Sequence, residues 1–561
     1  MPNLNRATRW MVAVGGVLLI ALVTAYVGLH VWVDADYVER RLNEAVARAT
    51  EGRYRVDIEA VQWSLWHRSI QADRVALRPG GEAPQSRAAA GDQCALRGRG
   101  LIRTIRLEGI RLWSLGWHGA IGLDTITLHH PQVHLDAHGG PCRTASARES
   151  DRTSAGRPTG SMHHRIARLW PDVTVRRLRI EEGNVSLQRR GDSAADSLWG
   201  LSVQADDVVI DSSAARDTSR ILFARHLDVA IDGYRRVFSD SLYAVTADTA
   251  HASTRDSSLA VAAVRVGPTL PDRTFVQRVG HRTDRYDSAA RRIVLRGVDY
   301  RRFIEEQAVH VEAARIHSLV VDVYRNNHLP PDPTGKPPPM PHEAFQSIPQ
   351  RVDIDTMQVF GGRIRYTELP EDATEPGQIA FEALSATVRN VTNNPSQMTP
   401  STPAVVEATT QVAGAGRLHA TIRVPLLARH LNLSYRGRLG PMDARAFNDT
   451  FVHLAGVRVE SGRVDSLRFD ATVRHGVATG TMRGAYQNLE VETLDPATGD
   501  RGLRKRIETF ALNRVALSSQ NTRRDGGLRT GSIQHTHQED DAFFKFLWLS
   551  VRSGLFALVG L

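Results

Sequence analysis

The sequence predicts a mainly β protein, with an N-terminal transmembrane helix, an elongated antiparallel β-structure and short helices at both ends. Three observations predict it. A long uncharged apolar run stands near the N-terminus. Apolar and charged residues alternate through most of the chain beyond that run. The 561 residues also exceed what one compact core of ordinary size holds, so the chain is either several domains or one extended repeat.

The run "MVAVGGVLLIALVTAYVGLHVWV" (11–33) is long enough to span a ~30 Å hydrocarbon core as a helix. Arg6 and Arg9 precede it, and Asp34, Asp36 and Glu39 come after it. That asymmetry places residues 1–10 in the cytoplasm and the bulk of the chain across the membrane. A cleaved signal would carry a shorter apolar run and a small-residue cleavage site, which "AYVGLH" does not supply. Next, "DADYVERRLNEAVARATEG" (34–52) reads as an amphipathic helix. Asp34 caps it, Val38, Leu42 and Ala45 share a face, and Gly52 ends it.

Beyond residue 53 the dominant pattern has period two, the mark of strands with one apolar face. Examples are "SIQADRVAL", "IRTIRLEGIRL", "GLSVQADDVVI", "ARRIVLRGV" and "GRLHATIRV". One template recurs. In residues 173–188, Val173, Val175, Leu178, Ile180, Gly183, Val185 and Leu187 align without a gap on Val352, Ile354, Met357, Val359, Gly362, Ile364 and Tyr366 of residues 352–367. A third copy (452–467) matches at Val452, Leu454, Val457, Val459, Gly462 and Val464, with Ser466 in last place. Two looser copies run from Ile121 to Leu135 and from Val309 to Val323, with Pro131 and Leu319 at the glycine position. Glycine supplies the positive φ of a two-residue hairpin loop. Each glycine copy therefore predicts a hairpin, pairing Ile180 with Val185, Leu178 with Leu187, Val359 with Ile364 and Met357 with Tyr366. The phase slip before each glycine predicts a β-bulge or kink.

Residues 80–100, 136–168 and 392–403 read as loops. The proline-dense 326–350 reads as a linker between an N-terminal β region (53–325) and a C-terminal one (351–540). The C-terminal "DAFFKFLWLSVRSGLFALVGL" (541–561) reads as a helix with Asp541, Lys545, Trp548 and Arg552 on one stripe. Its two expected roles are a plug on the apolar face and an interfacial helix on a membrane.

The N-terminal plan resembles the AsmA-like superfamily of bacterial inner-membrane-anchored periplasmic proteins. The helix ends "ATEGRYRV" and leads into "VQWSLWHRSIQADRVAL" and "IGLDTITLHHPQVHLDA". Residues 443–492, "DARAFNDTFVHLAGVRVESGRVDSLRFDATVRHGVATGTMRGAYQNLEVE", are similar to the family's C-terminal AsmA/DUF748-like region. The resemblance implies a long, open, taco-like antiparallel β-groove with an apolar interior. It also implies a role in outer-membrane lipid homeostasis or assembly, and it carries over no active-site residues.

The physical reading is compatible. An apolar face with no second layer needs something to bind there, and acyl chains suit it at ~0.8 kcal/mol per CH₂ without directional contacts. Twenty-odd strands would make a groove on the order of 100 Å. The candidate lipid-facing residues are Val175, Leu178, Ile180, Val185, Leu187, Ile354, Met357, Val359, Ile364, Tyr366, Val457, Val459 and Val464. The competing structure closes that face with a helix or a second sheet. The competing function is a non-conducting periplasmic scaffold that regulates envelope assembly through protein contacts. The expected partners are phospholipid or another acyl-chain lipid, the inner membrane and envelope proteins.

Net charge is +10, nearly all arginine, on a chain without a basic-aromatic nucleic-acid module, so no nucleic-acid partner is expected. The arginines read as a solvated face or as attraction to anionic headgroups. No P-loop, HExxH or GxSxG occurs, so neither an enzyme nor a cofactor is expected. The two cysteines, Cys94 and Cys142, fit either a disulfide in an oxidising compartment or two free thiols. His535 and His537 share a strand face, with a solvated strand end expected rather than a metal. Trp63 and Trp66 are expected in core packing or as interfacial anchors.

Overall fold

A computed structural model describes residues 54–64, 67–80, 95–111, 121–138, 173–189, 194–494 (apart from 212–213, 215–216, 239, 372 and 400), 521 and 528–560, together with residues 40, 43, 44 and 46. The apolar segment 11–33, most of the helix expected at 34–52, Trp66, Cys94 and Cys142 lie outside the described residues. Among the described residues no helix is long and apolar enough to cross a membrane.

The fold is mainly β. Among the described residues twenty-three strands form one continuous sheet, largely antiparallel but mixed. Residues 1–261 with 299–307 make one compact unit, and 262–298 with 308–561 make the other.

The first unit contains β1 (Tyr54–Asp57), β2 (Ala60–Ser64), β3 (Ser69–Pro79), β4 (Ala95–Glu108), β5 (Ile121–His138), β6 (Val173–Arg189), β7 (Asp196–Ile210), β8 (His226–Ile231), β9 (Gly233–Val237), β10 (Tyr243–Ala247), β11 (Thr249–Ser253) and the start of β12 (Ser258–Pro268). The second unit holds the short helix α1 (Asp272–Val279), then β13 (Asp284–Val298). The helix α2 (Tyr300–Glu306) belongs to the first unit. The second unit continues with β14 (Val309–Asn326), α3 (Pro341–Gln346), β15 (Val352–Leu369), β16 (Gly377–Thr392), β17 (Ala404–Val412), β18 (Gly416–Val424), β19 (Leu433–Leu439), β20 (Met442–Asp443), α4 (Asn448–Ala455), β21 (Val457–Arg474), β22 (Val477–Thr493), β23 (Thr530–Thr536) and α5 (Phe543–Val559).

The expected hairpins are absent. The copies at 173–188 and 352–367 are each one long strand, and the glycine of each sits in a bulge. In β6 the register against β7 shifts on both sides of Gly183, so Ile180 lies opposite Val203, Gly183 opposite Leu201 and Val185 opposite Leu198. In β15 it shifts likewise around Gly362, with Val359 opposite Ala386 and Ile364 opposite Phe381. The positive φ that a hairpin turn would have used serves the bulge instead, at Glu182 (φ 55°) and Gly361 (φ 66°). One extra residue reverses the alternation, which keeps Leu178, Ile180, Val185 and Leu187 on a single face. The third copy departs further. Val452 and Leu454 belong to α4, and the strand begins only at Val457.

Antiparallel pairing is not universal either. β5 pairs with β6 in parallel, and so does β14 with β15. Each parallel pair joins a loose copy to a strict copy, position for position: Leu128 beside Ile180 and Leu135 beside Leu187, then Ile316 beside Val359 and Val323 beside Tyr366. A parallel pair needs a crossover of a dozen residues or more. The segment joining β5 to β6 lies outside the described residues, and the crossover from β14 to β15, residues 327–351, contains α3.

The modules β4–β7 and β13–β16 share one register. Ile105–Leu128–Ile180–Val203 forms a row in the first, and Ile293–Ile316–Val359–Ala386 forms the equivalent row in the second. Their bulges are aligned too. His130, Glu182 and Gly200 carry positive φ side by side, as do Ser318, Gly361 and Ala383.

The equivalent bulge positions Glu182 and Gly361 give a test. A non-glycine residue at positive φ costs on the order of 1 kcal/mol, and a Cβ at Gly361 meets nothing within 4 Å. Gly361→Glu is therefore expected to lower the unfolding free energy by about 1 kcal/mol, and Glu182→Gly to leave it unchanged or raise it. Urea denaturation of the two variants checks the signs.

Candidate functional site: a half-exposed apolar face

The two modules carry matching apolar rows but treat them differently. In the first, Leu107 and Ile126 are 0% exposed, and Ile105, Leu123, Leu128 and Val175 are buried with them in one core. Val46, Phe223 and Ala224 belong to the same core. The Asn43 amide ties the N-terminal segment to β1, donating to the Val56 carbonyl (2.8 Å) and accepting from its N–H (2.7 Å). Leu178 and Ile180 are partly buried against this core. Leu187 is buried and Val185 partly so, in a smaller cluster with Leu135.

In the second module three rows cross the strands: Ile293–Ile316–Val359–Ala386–Ala408, Leu295–Ala314–Met357–Val388–Val406, and Val298–Val311–Ile354–Val391. Val311, Ala314 and Val359 are buried. Ile293, Leu295, Val298, Ile316, Ile354, Met357, Val388, Val391 and Val406 are only half-buried. None of these side chains belongs to a hydrophobic core cluster among the described residues or is packed against one. Ile364, beyond the bulge, is also half-buried. At ~4.8 Å per strand and ~3.3 Å per residue, this face is about 20 Å wide and, out to Ile364, about 30 Å long.

One end of the face closes on a buried polar network. Tyr366, 1% exposed, donates to Glu368 at 2.7 Å, and Asn327 donates to the other Glu368 oxygen at 2.7 Å. Arg325 donates to Asn327 (2.8 Å), to Asp284 (3.1 Å) and to the Asp540 carbonyl (2.9 Å). Burial disfavours the Arg325 charge, but Asp284, Tyr366 and Glu368 outweigh it and raise its pKa. Burial, then Glu368, pushes the Tyr366 phenol far up, so it remains a neutral donor.

The far part of the second unit is roofed. α5 packs on β22 and β23 and shares a core with Tyr435, Leu467, Met482, Ile533, Phe546 and Leu558. The helix comes so close that a Cβ on Gly531 would lie 2.4 Å from the Gly554 carbonyl oxygen. The stripe of Asp541, Lys545, Trp548 and Arg552 is largely engaged in contacts. Asp541 is buried, Lys545 pairs with Asp540 (2.9 Å) and Asp541 (3.2 Å), and Arg552 donates to the Leu454 carbonyl. His535 and His537 both reach Asp541, through its carboxylate and its carbonyl. Of the remaining candidates, Val457 and Val459 are buried and Val464 packs partly against this core. Trp63 is 51% exposed, not core.

Removing one partner of a buried pair strands the other. The Arg325 and Asp284 side chains are 3% and 5% exposed. Arg325→Met is expected to lower the unfolding free energy by about 3 kcal/mol. A loss under about 1 kcal/mol in chemical denaturation would contradict that assignment.

No protein-family model matches this sequence, and no curated protein matches it.

Proposed function

We propose that this chain is an AsmA-like, inner-membrane-anchored periplasmic protein whose second β-module holds phospholipid acyl chains and serves lipid supply to the outer membrane. One observation carries the reading. In the first module Ile105, Leu107 and Leu128 are core, whereas the equivalent Ile293, Leu295 and Ile316 of the second are half-buried and lie in no core cluster among the described residues. A face of branched and straight aliphatic side chains about 30 Å long is costly to leave in water. An acyl chain laid along it gains ~0.8 kcal/mol per buried CH₂ and needs no polar partner. Without directional contacts the chain can slide along the face.

On this reading the lipid-facing set narrows to Ile354, Met357 and Ile364 among the residues the sequence suggests, joined by Ile293 and Ile316 from the neighbouring strands. The uncharged segment 11–33 would hold the sheet at the membrane from which lipid is drawn.

Photocrosslinking tests it. A photoreactive residue at Met357 or Ile316 is expected to capture phospholipid in cells. One at Arg315, exposed on the opposite face of β14, is expected not to. Protein adducts alone from Met357 and Ile316 would overturn the proposal in favour of an envelope scaffold.

A further inference from the structure

The opposite, polar face of the second unit carries a different feature. On four consecutive strands, β18, β19, β21 and β22, basic residues stand directly opposite one another: His419 beside Arg438, Arg438 beside Arg468, and Arg468 beside Arg483. The flanking Leu439, Leu467 and Met482 point the other way, into the core shared with α5. The three arginines are therefore exposed and stacked at strand spacing, ~4.8 Å apart at their backbones.

Like charges directly opposed across a ladder destabilise a sheet. Elsewhere on this sheet arginines meet carboxylates, as Arg389 does Glu407 (2.7 Å) and Arg265 does Asp287 (2.7 Å). Among the described residues, Arg438, Arg468 and Arg483 have neither an ion pair nor a hydrogen-bond partner.

The ladder is one wall of an open cleft of about 750 Å³. Arg436, Asp470 and Glu407 stand on the other wall, two residues along the strands and hence about 7 Å away. The floor is the backbone at Ala408, Ala420 and Gly437, whose side-chain positions belong to the other face. Glu407 is already neutralised by Arg389, so four arginines face one unengaged carboxylate, Asp470, the cross-strand partner of Arg436. Guanidinium forks grip phosphate oxygens bidentately. The cleft width admits a phosphate, and the row of arginines favours more than one.

We propose that this cleft is a binding site for a ligand carrying two or more negative charges on phosphate groups, with Arg438, Arg468 and Arg483 as its anchors. It lies on the opposite face from the acyl-chain surface and does not depend on that surface being occupied. The phosphate can belong to a lipid headgroup or to a soluble phosphate ester, and the shared chemistry is the claim.

The test uses the full-length chain in detergent, with two probes measured by calorimetry: inorganic pyrophosphate and short-chain dihexanoyl phosphatidic acid, whose headgroup is a phosphate monoester. Binding of either probe is expected, weakening at least tenfold in Arg468→Gln and in Arg438→Gln. Pyrophosphate binding alone assigns a soluble source, and phosphatidic acid binding alone a headgroup. Arg468→Gln is also expected to raise the thermal midpoint, because the central charge is repelled from both sides. Failure of both probes to bind the wild type, or equal binding by wild type and Arg468→Gln, overturns the proposal. A fall in the thermal midpoint of Arg468→Gln with binding unchanged assigns the ladder a structural role and overturns it as well.

Discussion

The strands of this sheet must hold their apolar side chains on one side over 14 to 18 residues, and simple alternation does not do it. Each long strand slips phase, and a bulge makes the slip possible. A bulge beside an unbroken neighbour disrupts the ladder of backbone hydrogen bonds, so the slips must fall at the same level in adjacent strands. They do, at His130, Glu182 and Gly200 and again at Ser318, Gly361 and Ala383. Only two of those six are glycine. The others hold a left-handed backbone at a cost of about 1–2 kcal/mol each, which the flanking hydrogen-bonded ladder over-determines. One-sidedness is thus enforced by the backbone at a few aligned positions, and both faces of the sheet depend on it.

The duplicated module shows what such a frame permits. In the first copy the N-terminal segment and the Phe223 loop complete a closed core over the rows. In the second copy the corresponding rows carry Ile293, Ile316 and Met357 half-exposed, while α5 roofs only the strands further along. One backbone plan therefore supports a stabilising core and a surface open to a ligand. The polar side of the same strands can carry the arginine row because its side chains owe nothing to core packing.

Much of this is legible in the sequence. Period two predicts the mainly β fold, and four of the five template copies mark strands that pair side by side, two by two. The C-terminal helix is readable from its length and its stop. The turn chemistry misleads because one residue at positive φ serves a bulge as well as a hairpin, and Glu-Gly or Ser-Gly lacks the Asn-Gly signature that would separate them. Parallel pairing stays hidden because long crossovers look like linkers. Val452 and Leu454, two residues apart, fit a strand template, and the flanking Asn448 and Gly456 decide for α4: Asn448 bonds the backbone of Val459 on both sides, and Gly456 closes the helix in the left-handed region. The arginine row is invisible from any one strand, because it exists only once the register of four strands is known.

Native mass spectrometry of the full-length chain, released from detergent micelles, probes the uncovered face most directly. The wild type should carry one or more phospholipid masses, and Ile316→Glu combined with Met357→Glu should shed them while the chain stays folded. A lipid-free wild type, or adducts indifferent to the two acidic substitutions, would contradict an apolar surface kept open for acyl chains.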